Sequence, residues 1–336
     1  MSKRYFSVAI TALFFASTSL SAQAVLIAGN KPANTATLVD LATSKILATL
    51  PTGIGPHEAA ASRNGKWAVI TNYGGGGVPG RSLTLIDIAS RTVARTIDLG
   101  EYRAPHGVQF LPGDSLVAVT VEASNAVLLV DVANGTVRRA FETRQPGSHM
   151  VAVRAGGDVG YTSNIRGNSV TEIDFKTGRT RWLAVANEPE GLGVTPDGKE
   201  VWAGSNIDGT IAIIDVPTWR VAHIIAVGER PYRVSFAPDG KTALASLTAS
   251  SRVRIYDAVT RKEITTVSIE GNSAASSLAR GGAQPVGVAF SSDSRYAYVA
   301  CQGINAIAVI DLKTRSVIRT IPVGPGPDAV AIAEQH

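Results

Sequence analysis

The sequence of 336 residues contains one cysteine, Cys301, so no disulfide bond can form within the chain. No segment shows a sustained helical period of apolar residues, which argues against a helical or mixed α/β architecture. No Gly-x-Ser-x-Gly or His-Glu-x-x-His motif is present, so neither a nucleophile elbow nor a zinc-binding helix is predicted. Cys301 has no candidate general base nearby in the sequence, and we interpret it as a small buried residue.

The chain also has little net charge. The formal net charge is +5, of which Lys3 and Arg4 contribute two, and the other basic residues are spread one or two per turn. A nucleic-acid-binding surface would combine clustered Lys and Arg with stacking aromatic residues. We therefore expect a solvated charged surface and no nucleic-acid partner.

The longest apolar stretch lies at the N-terminus. Lys3 and Arg4 precede an apolar run over residues 6–20, and Ala22-Gln23-Ala24 supplies small residues at a cleavage position. This pattern predicts a secretory signal peptide over residues 1–24 and a periplasmic or secreted protein that begins at Val25. The run is shorter than the roughly 20 residues of a spanning helix, and no other segment could cross a membrane.

A repeat runs along the rest of the chain. Seven apolar runs end in an aspartate, and six of the seven units show a tight turn with Gly, Asn or Ser between their first two predicted strands. The spacings are 47, 44, 43, 41, 42 and 54 residues, a period typical of one propeller blade of four strands. The aspartates, which we expect to hold turns, are Asp40, Asp87, Asp131, Asp174, Asp215, Asp257 and Asp311.

The two ends of the repeat complete each other. Residues 327–332 form a lone first strand, whereas residues 25–27, 37–40 and 46–50 supply the second, third and fourth strands of a unit. One blade is therefore shared between the ends, which leaves no open sheet edge. The sequence predicts an all-β fold: a seven-bladed β-propeller over residues 25–336, with one blade shared between N- and C-terminal strands.

Two segments carry a family resemblance: AVITN at residues 68–72 and YVACQ at residues 298–302. They resemble the YVTN family of β-propeller repeat proteins, and the resemblance extends over the chain from residue 25 onward. Several units depart from the tetrapeptide, for example TVE at residues 120–122. The resemblance implies the propeller architecture and leaves the activity open.

One face of the disc differs from blade to blade. The strand order places the starts of the first strands and the loops between second and third strands on this face, together with two long insertions, residues 74–80 and 268–284. Because variable loops on a regular scaffold carry function, we expect this to be the working face.

Three of the five histidines begin equivalent inner strands on that face. In ring order the equivalent positions are His57, His106, His149, Glu190, Tyr232, Val286 and Asp328. The three imidazoles with Glu190 and Asp328 are candidate ligands of a divalent transition metal such as zinc, manganese, iron or nickel. The alternative is that these polar residues line a water-filled channel.

Basic residues on or beside the same loops are candidates for binding an anionic ligand. They are Arg103, Arg230 and Arg233, with Tyr232 next to the last of them. Each of these arginines could instead be a solvated loop charge.

Two functions agree with these features. The first is a monomeric periplasmic binding or scaffold protein whose working face binds a small molecule, a metal or a periplasmic protein partner. The second is an enzyme on the same face, a metal-assisted lyase or a lactonase, which would need Glu58 or Glu190 as its general base. The sequence leaves both open.

Overall fold

The computed structural model describes residues 24–270 and 282–334, so residues 1–23 of the predicted signal peptide and residues 271–281 of the second insertion lie outside it. The described chain forms seven four-stranded antiparallel sheets. Each innermost strand contacts the innermost strand of the next sheet, and the last contacts the first. This closed ring confirms the predicted seven-bladed β-propeller.

The blades follow the chain in order, each from its inner to its outer strand. The shared blade contains β1 (Ala24–Asn30), β2 (Thr35–Asp40) and β3 (Ile46–Pro51). The next two blades contain β4 (Pro56–Ala61), β5 (Trp67–Gly75), β6 (Val78–Asp87) and β7 (Thr92–Asp98), then β8 (Pro105–Phe110), β9 (Leu116–Val121), β10 (Ala126–Asp131) and β11 (Thr136–Glu142). The fourth and fifth contain β12 (Ser148–Val153), β13 (Val159–Asn164), β14 (Ser169–Asp174) and β15 (Thr180–Ala184), then β16 (Pro189–Val194), β17 (Glu200–Ser205), β18 (Thr210–Asp215) and β19 (Arg220–Ala226).

The remaining blades have the same order. They contain β20 (Arg233–Phe236), β21 (Thr242–Leu247), β22 (Arg252–Asp257) and β23 (Lys262–Ser268), then β24 (Pro285–Phe290), β25 (Tyr296–Cys301), β26 (Ala306–Asp311) and β27 (Ser316–Pro322). The last strand, β28 (Pro327–Glu334), returns to the shared blade as its inner strand.

The shared blade closes the ring as predicted. β28 pairs antiparallel with β1, so that Val25 lies opposite Ala333 and Ala28 opposite Val330. Both strands extend beyond the predicted residues 25–27 and 327–332, because the hydrogen-bonded ladder continues past the apolar core on either side. Closure leaves no free edge at this seam.

Four single 3₁₀ turns connect second to third strands, and the repeat pattern did not predict them. They are Lys31–Ala33, Glu122–Ser124, Thr248–Ser250 and Gln302–Ile304. Each ends at a residue with positive φ, an asparagine in three cases and Ser251 in the fourth. One turn is too short to produce a helical period in the sequence.

The seven repeated aspartates hold turns, as expected. At each of them a carboxylate oxygen accepts a hydrogen bond from the backbone N–H three residues later. The distances range from 2.7 Å at Asp257 to 3.1 Å at Asp311. These bonds lie on the face opposite the inner-strand starts, so they maintain the repeat and do not form a site.

Hydroxyl groups on second strands join neighbouring blades near the axis. Thr120 Oγ1 accepts a hydrogen bond from the N–H of Gly107 in its own blade and donates one to the carbonyl of His149 in the next. Thr71 Oγ1 likewise accepts from the N–H of Glu58 and donates to the carbonyl of His106. These bonds set the positions at which the inner strands begin.

The hydrophobic core lies between adjacent blades, where side chains of one sheet pack on the next. Leu83 and Leu85 of one blade, for example, pack with Val117 and Val119 of its neighbour. Cys301 is fully buried in such a cluster, and burial raises the pKa of its thiol to about 12. It is therefore an inert core residue.

The insertion at residues 74–80 was predicted as a loop but continues the β5–β6 hairpin. Gly74 pairs with Pro79 and Gly75 with Val78, which leaves Gly76 and Gly77 as a two-residue turn. Both turn residues have positive φ, 61° and 80°, which tight hairpin turns require and glycine permits. Across residues 24–270 and 282–334, no helix is long and apolar enough to span a membrane.

Candidate functional site

A bulge at the start of most inner strands directs the candidate residues toward the axis. Regular pairing with the second strand breaks between Pro56 and Ala59 in β4, and the same break occurs in β8, β12, β16 and β24. The residue after the first strand position, such as His57, lies inside this bulge. Bulges commonly redirect side chains in this way.

The three predicted histidines meet at the axis and stack on one another. The ring centroids of His57 and His106 are 4.0 Å apart, and those of His106 and His149 are 3.7 Å apart. The three residues are at most 7% exposed, so their rings are buried. Tyr73 packs edge-on against His57 and His106.

The two predicted carboxylates lie at opposite ends of this stack. Glu190 Oε1 is 2.9 Å from Nε2 of His149, and Asp328 Oδ2 is 3.4 Å from Nδ1 of His57. Lys31 also donates a hydrogen bond to Asp328 Oδ2 at 2.9 Å. All five predicted metal ligands are therefore brought together in one group.

Arg233 joins the same group from across the axis. Its guanidinium donates to Glu58 Oε1 at 3.0 Å from Nε and to Glu190 Oε1 at 2.8 Å. The residue is 3% exposed, and its guanidinium carbon lies 4.4 Å from the ring centroid of the adjacent Tyr232. Burial opposes the charge of Arg233, but Glu58 and Glu190 raise its pKa well above the usual value.

Glu122 completes the site, although its position in the repeat did not mark it as a candidate. Its Oε2 lies 2.9 Å from Nδ1 of His149 and accepts a hydrogen bond from the hydroxyl of Tyr73, while Arg166 donates to its Oε1 at 2.8 Å. The one signal in the sequence was that the unit at residues 120–122 departs from the repeat motif. We call His57, Glu58, His106, Glu122, His149, Glu190, Arg233 and Asp328 the axial cluster.

The charges of the axial cluster and its flanking cations nearly balance. The cluster holds four carboxylates, and the permanent cations bonded to them are Arg233, Lys31 and Arg166. One more positive charge is needed for neutrality. Buried carboxylates without compensation are costly, so either a protonated imidazole or a bound cation must provide that charge.

The histidines differ in protonation. Burial, with the positive charges of His149, His57 and Arg233, holds the pKa of His106 well below its usual value, so its imidazole is neutral. Burial also opposes a proton on His149, but hydrogen bonds to Glu122 and Glu190 outweigh it and raise the pKa. The stack therefore contains a neutral ring beside one that favours its proton.

Three carboxylates of the cluster, those of Glu58, Glu122 and Glu190, remain ionised. Burial alone would raise the pKa of Glu190, but His149 and Arg233 lower it strongly. The pKa of Glu58 is lowered by Arg233 and His57 against the same effect of burial, and that of Glu122 by His149 and Arg166. Such carboxylates are weak proton acceptors.

Several buried polar atoms at the axis have no hydrogen-bond partner. They include Nδ1 of His57, Nδ1 of His106 and Oδ1 of Asp328. Two overlapping groups offer ligand atoms within 4.8 Å of one another: His57, Glu58 and His106, and His106, Glu122 and His149. Neutral imidazole and carboxylate donors at this separation suit a divalent transition metal, although metal–nitrogen bonds of about 2.0–2.1 Å require the ligands to draw closer.

The other predicted ligand-binding residues lie outside the axial cluster. Arg103 folds back on its own loop and donates to the carbonyls of Gly100 and Tyr102. Arg230 is exposed on the loop before Pro231. Of the four predicted ligand-binding residues, Arg233 and the adjacent Tyr232 are the ones that the fold brings to the axis.

The fold and part of the sequence match known proteins. A family model described as the choice-of-anchor I domain matches residues 105–326, and one described as a YNCE-like beta-propeller matches residues 2–113. No functionally curated protein matches the sequence significantly. Among solved structures, 1733 chains match significantly, so the resemblance is too widely shared to indicate an activity.

One of these solved structures is a chain of the hydrazine synthase of Kuenenia stuttgartiensis. It has a TM-score of 0.66 and 18% sequence identity, and the match covers 82% of the present chain and 89% of that chain. At this identity the likeness shows the β-propeller fold alone. Because the choice-of-anchor I model matches about two thirds of the 336 residues, the chain belongs to the choice-of-anchor I domain family of β-propeller proteins.

Proposed function

We propose that this propeller is a binding protein that holds a divalent transition metal at the axial end of its working face. The observation that carries the proposal is a pair of buried imidazole nitrogens: Nδ1 of His106 has no hydrogen-bond partner, and Nδ1 of His57 forms no hydrogen bond but lies 3.4 Å from Asp328 Oδ2. A buried polar atom without a partner costs about 1–3 kcal/mol. A metal bound by both nitrogens would remove that cost.

The first group, with Glu58 as third ligand, is the better candidate for the metal. In the second group both nitrogens of His149 already contact carboxylates, Glu122 and Glu190. A metal there would have to replace one of these hydrogen bonds and the proton in it. Asp328, with one oxygen free of hydrogen bonds, lies beside His57 as a further possible ligand.

The ligand types of the cluster support the same proposal. A divalent ion and the proton that His149 favours are alternative sources of the positive charge that balances the four carboxylates against three permanent cations. Zinc, manganese, iron and nickel accept mixed imidazole and carboxylate ligands. Placement in the periplasm or outside the cell, a YVTN-type repeat and a monomeric state remain part of the proposal, and N-terminal sequencing of the exported protein should give Val25.

The geometry favours binding over the alternative of a metal-assisted lyase or lactonase. That reaction would need Glu58 or Glu190 as general base. Arg233 contacts both carboxylates, and their lowered pKa values make each a poor proton acceptor at neutral pH.

Elemental analysis tests the proposal. The protein, purified without chelator and dialysed, should contain about one transition-metal ion per chain, or take one up from a zinc, manganese or nickel solution. His106→Gln should lose the ion, whereas His223→Gln, which changes an exposed histidine of β19, should keep it. Equal metal content in the two variants would show that the axial histidines are only structural.

A further inference from the structure

The β5–β6 hairpin is a feature of the working face that the proposed metal site does not use. β5 has nine residues and β6 ten, whereas the other second and third strands of the described chain have six or seven. The hairpin therefore projects beyond the disc in one blade alone among those described. An extension confined to one unit of a repeat indicates a local function.

A cavity of about 270 Å³ lies beneath this hairpin. It is lined by Tyr73, Val78, Pro79, Ala104, Ala123 and Arg166, and Glu122 lies at its wall. At about 30 Å³ per water molecule, it has room for about nine waters, so a small organic molecule fits. Most of this lining is apolar or glycine backbone.

The base of the hairpin is fixed by close backbone contacts. A Cβ atom added to Gly80 would lie 1.9 Å from the carbonyl oxygen of Asn72, and one added to Gly74 would lie 2.2 Å from that of Val78. At the tip, by contrast, a Cβ at Gly76 or Gly77 would meet nothing within 4 Å. The hairpin thus holds a preformed cavity, which lowers the entropic cost of binding.

Arg166 is the group in the cavity with donors to spare. Its side chain is 56% exposed, and it bonds to the Glu122 carboxylate through one terminal nitrogen at 2.8 Å and to the Glu122 carbonyl at 3.4 Å. No other hydrogen bond joins this guanidinium to the described residues.

The negative charge of Glu122 does not repel an anion strongly, since it is already compensated. Arg166 bonds to one of its carboxylate oxygens, and His149 and Tyr73 contact the other. Arg166 lines the cavity, and its remaining N–H groups have no acceptor among the described residues. A guanidinium N–H donates a strong, charge-assisted hydrogen bond to a carboxylate.

We infer that this cavity binds a small organic monocarboxylate, with its carboxylate on Arg166 and its apolar part against Val78, Pro79 and Ala104. The site does not require the proposed metal. Tyr73, which contacts both His57 and His106, forms the wall between the two sites.

Titration with benzoate and with its neutral analogue benzamide tests the inference. By calorimetry or ligand-observed NMR, benzoate should bind saturably to the purified protein and benzamide at least tenfold more weakly, because the charge-assisted bonds are lost. Arg166→Gln should weaken benzoate binding at least tenfold. Arg138→Gln is the matched control, since Arg138 is 59% exposed and also bonded to one carboxylate, that of Asp131.

A second pair of variants tests the role of the hairpin. Gly80→Ala, which forces the base apart, should abolish benzoate binding, whereas Gly76→Asn should leave it unchanged because asparagine tolerates the positive φ of 61° at the tip. Absence of benzoate binding, or equal binding by Arg166→Gln, would overturn the inference. Metal content measured on the same samples separates this outcome from failure of the proposed metal site.

Discussion

The imidazole rings of His106 and His149 lie 3.7 Å apart, centroid to centroid, yet their pKa values are shifted in opposite directions. His106 is buried without an acidic hydrogen-bond partner and sits among positive charges. His149 is buried to a similar degree but lies between Glu122 and Glu190. Their partners, and not their depth, decide which ring carries the proton.

The raised pKa of His149 predicts a pH-dependent contribution to stability. A group whose pKa is higher in the folded state stabilises fully below its unfolded pKa, about 6.5, and loses that effect as pH rises through the folded pKa. His149→Gln should therefore cost more free energy of unfolding at pH 6 than at pH 9. Urea unfolding of both proteins across this range measures the difference, and a pH-independent cost would contradict the assigned protonation.

His106 should behave in the opposite way. Below about pH 6.5 the unfolded chain binds a proton at this residue that the folded protein does not, so the wild type loses stability as pH falls. His106→Gln should reduce that loss, relative to His223→Gln, in the same urea series. A steeper loss for His106→Gln than for this control would show that the ring is protonated in the folded protein.

Arg233→Met should destabilise the protein by about 3–5 kcal/mol, because it leaves Glu58 and Glu190 as buried carboxylates without their shared cation. Arg261→Met is the matched control. Arg261 bonds to one carboxylate, that of Glu200, but is 39% exposed, so its loss should cost less than about 1 kcal/mol. Similar free energies of unfolding for the two variants would rule out the buried network as a source of stability.

Thr120→Val should cost about 1–3 kcal/mol although the side chains have similar shapes, because the N–H of Gly107 and the carbonyl of His149 both lose a buried partner. Thr92→Val, at an exposed strand position, should change stability by less than about 0.5 kcal/mol. Chemical unfolding compares the two, and an equal effect would mean that the hydroxyl does not join the blades.

Removal of residues 327–336 should lower the melting temperature by many degrees or prevent folding, because β1 would lose its partner strand. The control is removal of residues 335 and 336 alone, which leaves β28 intact. Thermal unfolding of both proteins decides. A melting temperature within about two degrees of the parent for the longer deletion would contradict the shared blade.

The repeat explains why so much of the fold could be predicted. Aspartates at the ends of third strands mark each unit, and one incomplete unit at each end predicts the shared blade. The convergence of His57, His106 and His149 followed from their equivalent positions, since a closed ring brings the starts of its inner strands together. The exact bounds of the strands and the four 3₁₀ turns could not be predicted from the repeat. The strand bounds depend on ladder hydrogen bonds, and each 3₁₀ turn depends on one residue with positive φ.

The rest of the site depends on contacts that no repeat position encodes. Arg233 and Glu58 are 175 residues apart and meet because a long side chain reaches across the axis. Tyr73 lies in the extended strand β5, and Glu122 begins the 3₁₀ turn that follows β9, so neither occupies an inner-strand start. The burial of the histidine stack likewise results from the closeness of the inner strands, which the sequence pattern does not measure.

The pairing of β1 with β28 has a consequence for the order of the blades along the polypeptide. Ala24 lies opposite Glu334, so a short peptide linker could join these residues into a cyclic backbone without changing any contact between blades. Such a circle could then be reopened between Gly76 and Gly77, where the turn makes no close contacts. The permuted propeller would keep the same contacts within the axial cluster, because in a closed ring each blade contacts two neighbours wherever the chain begins.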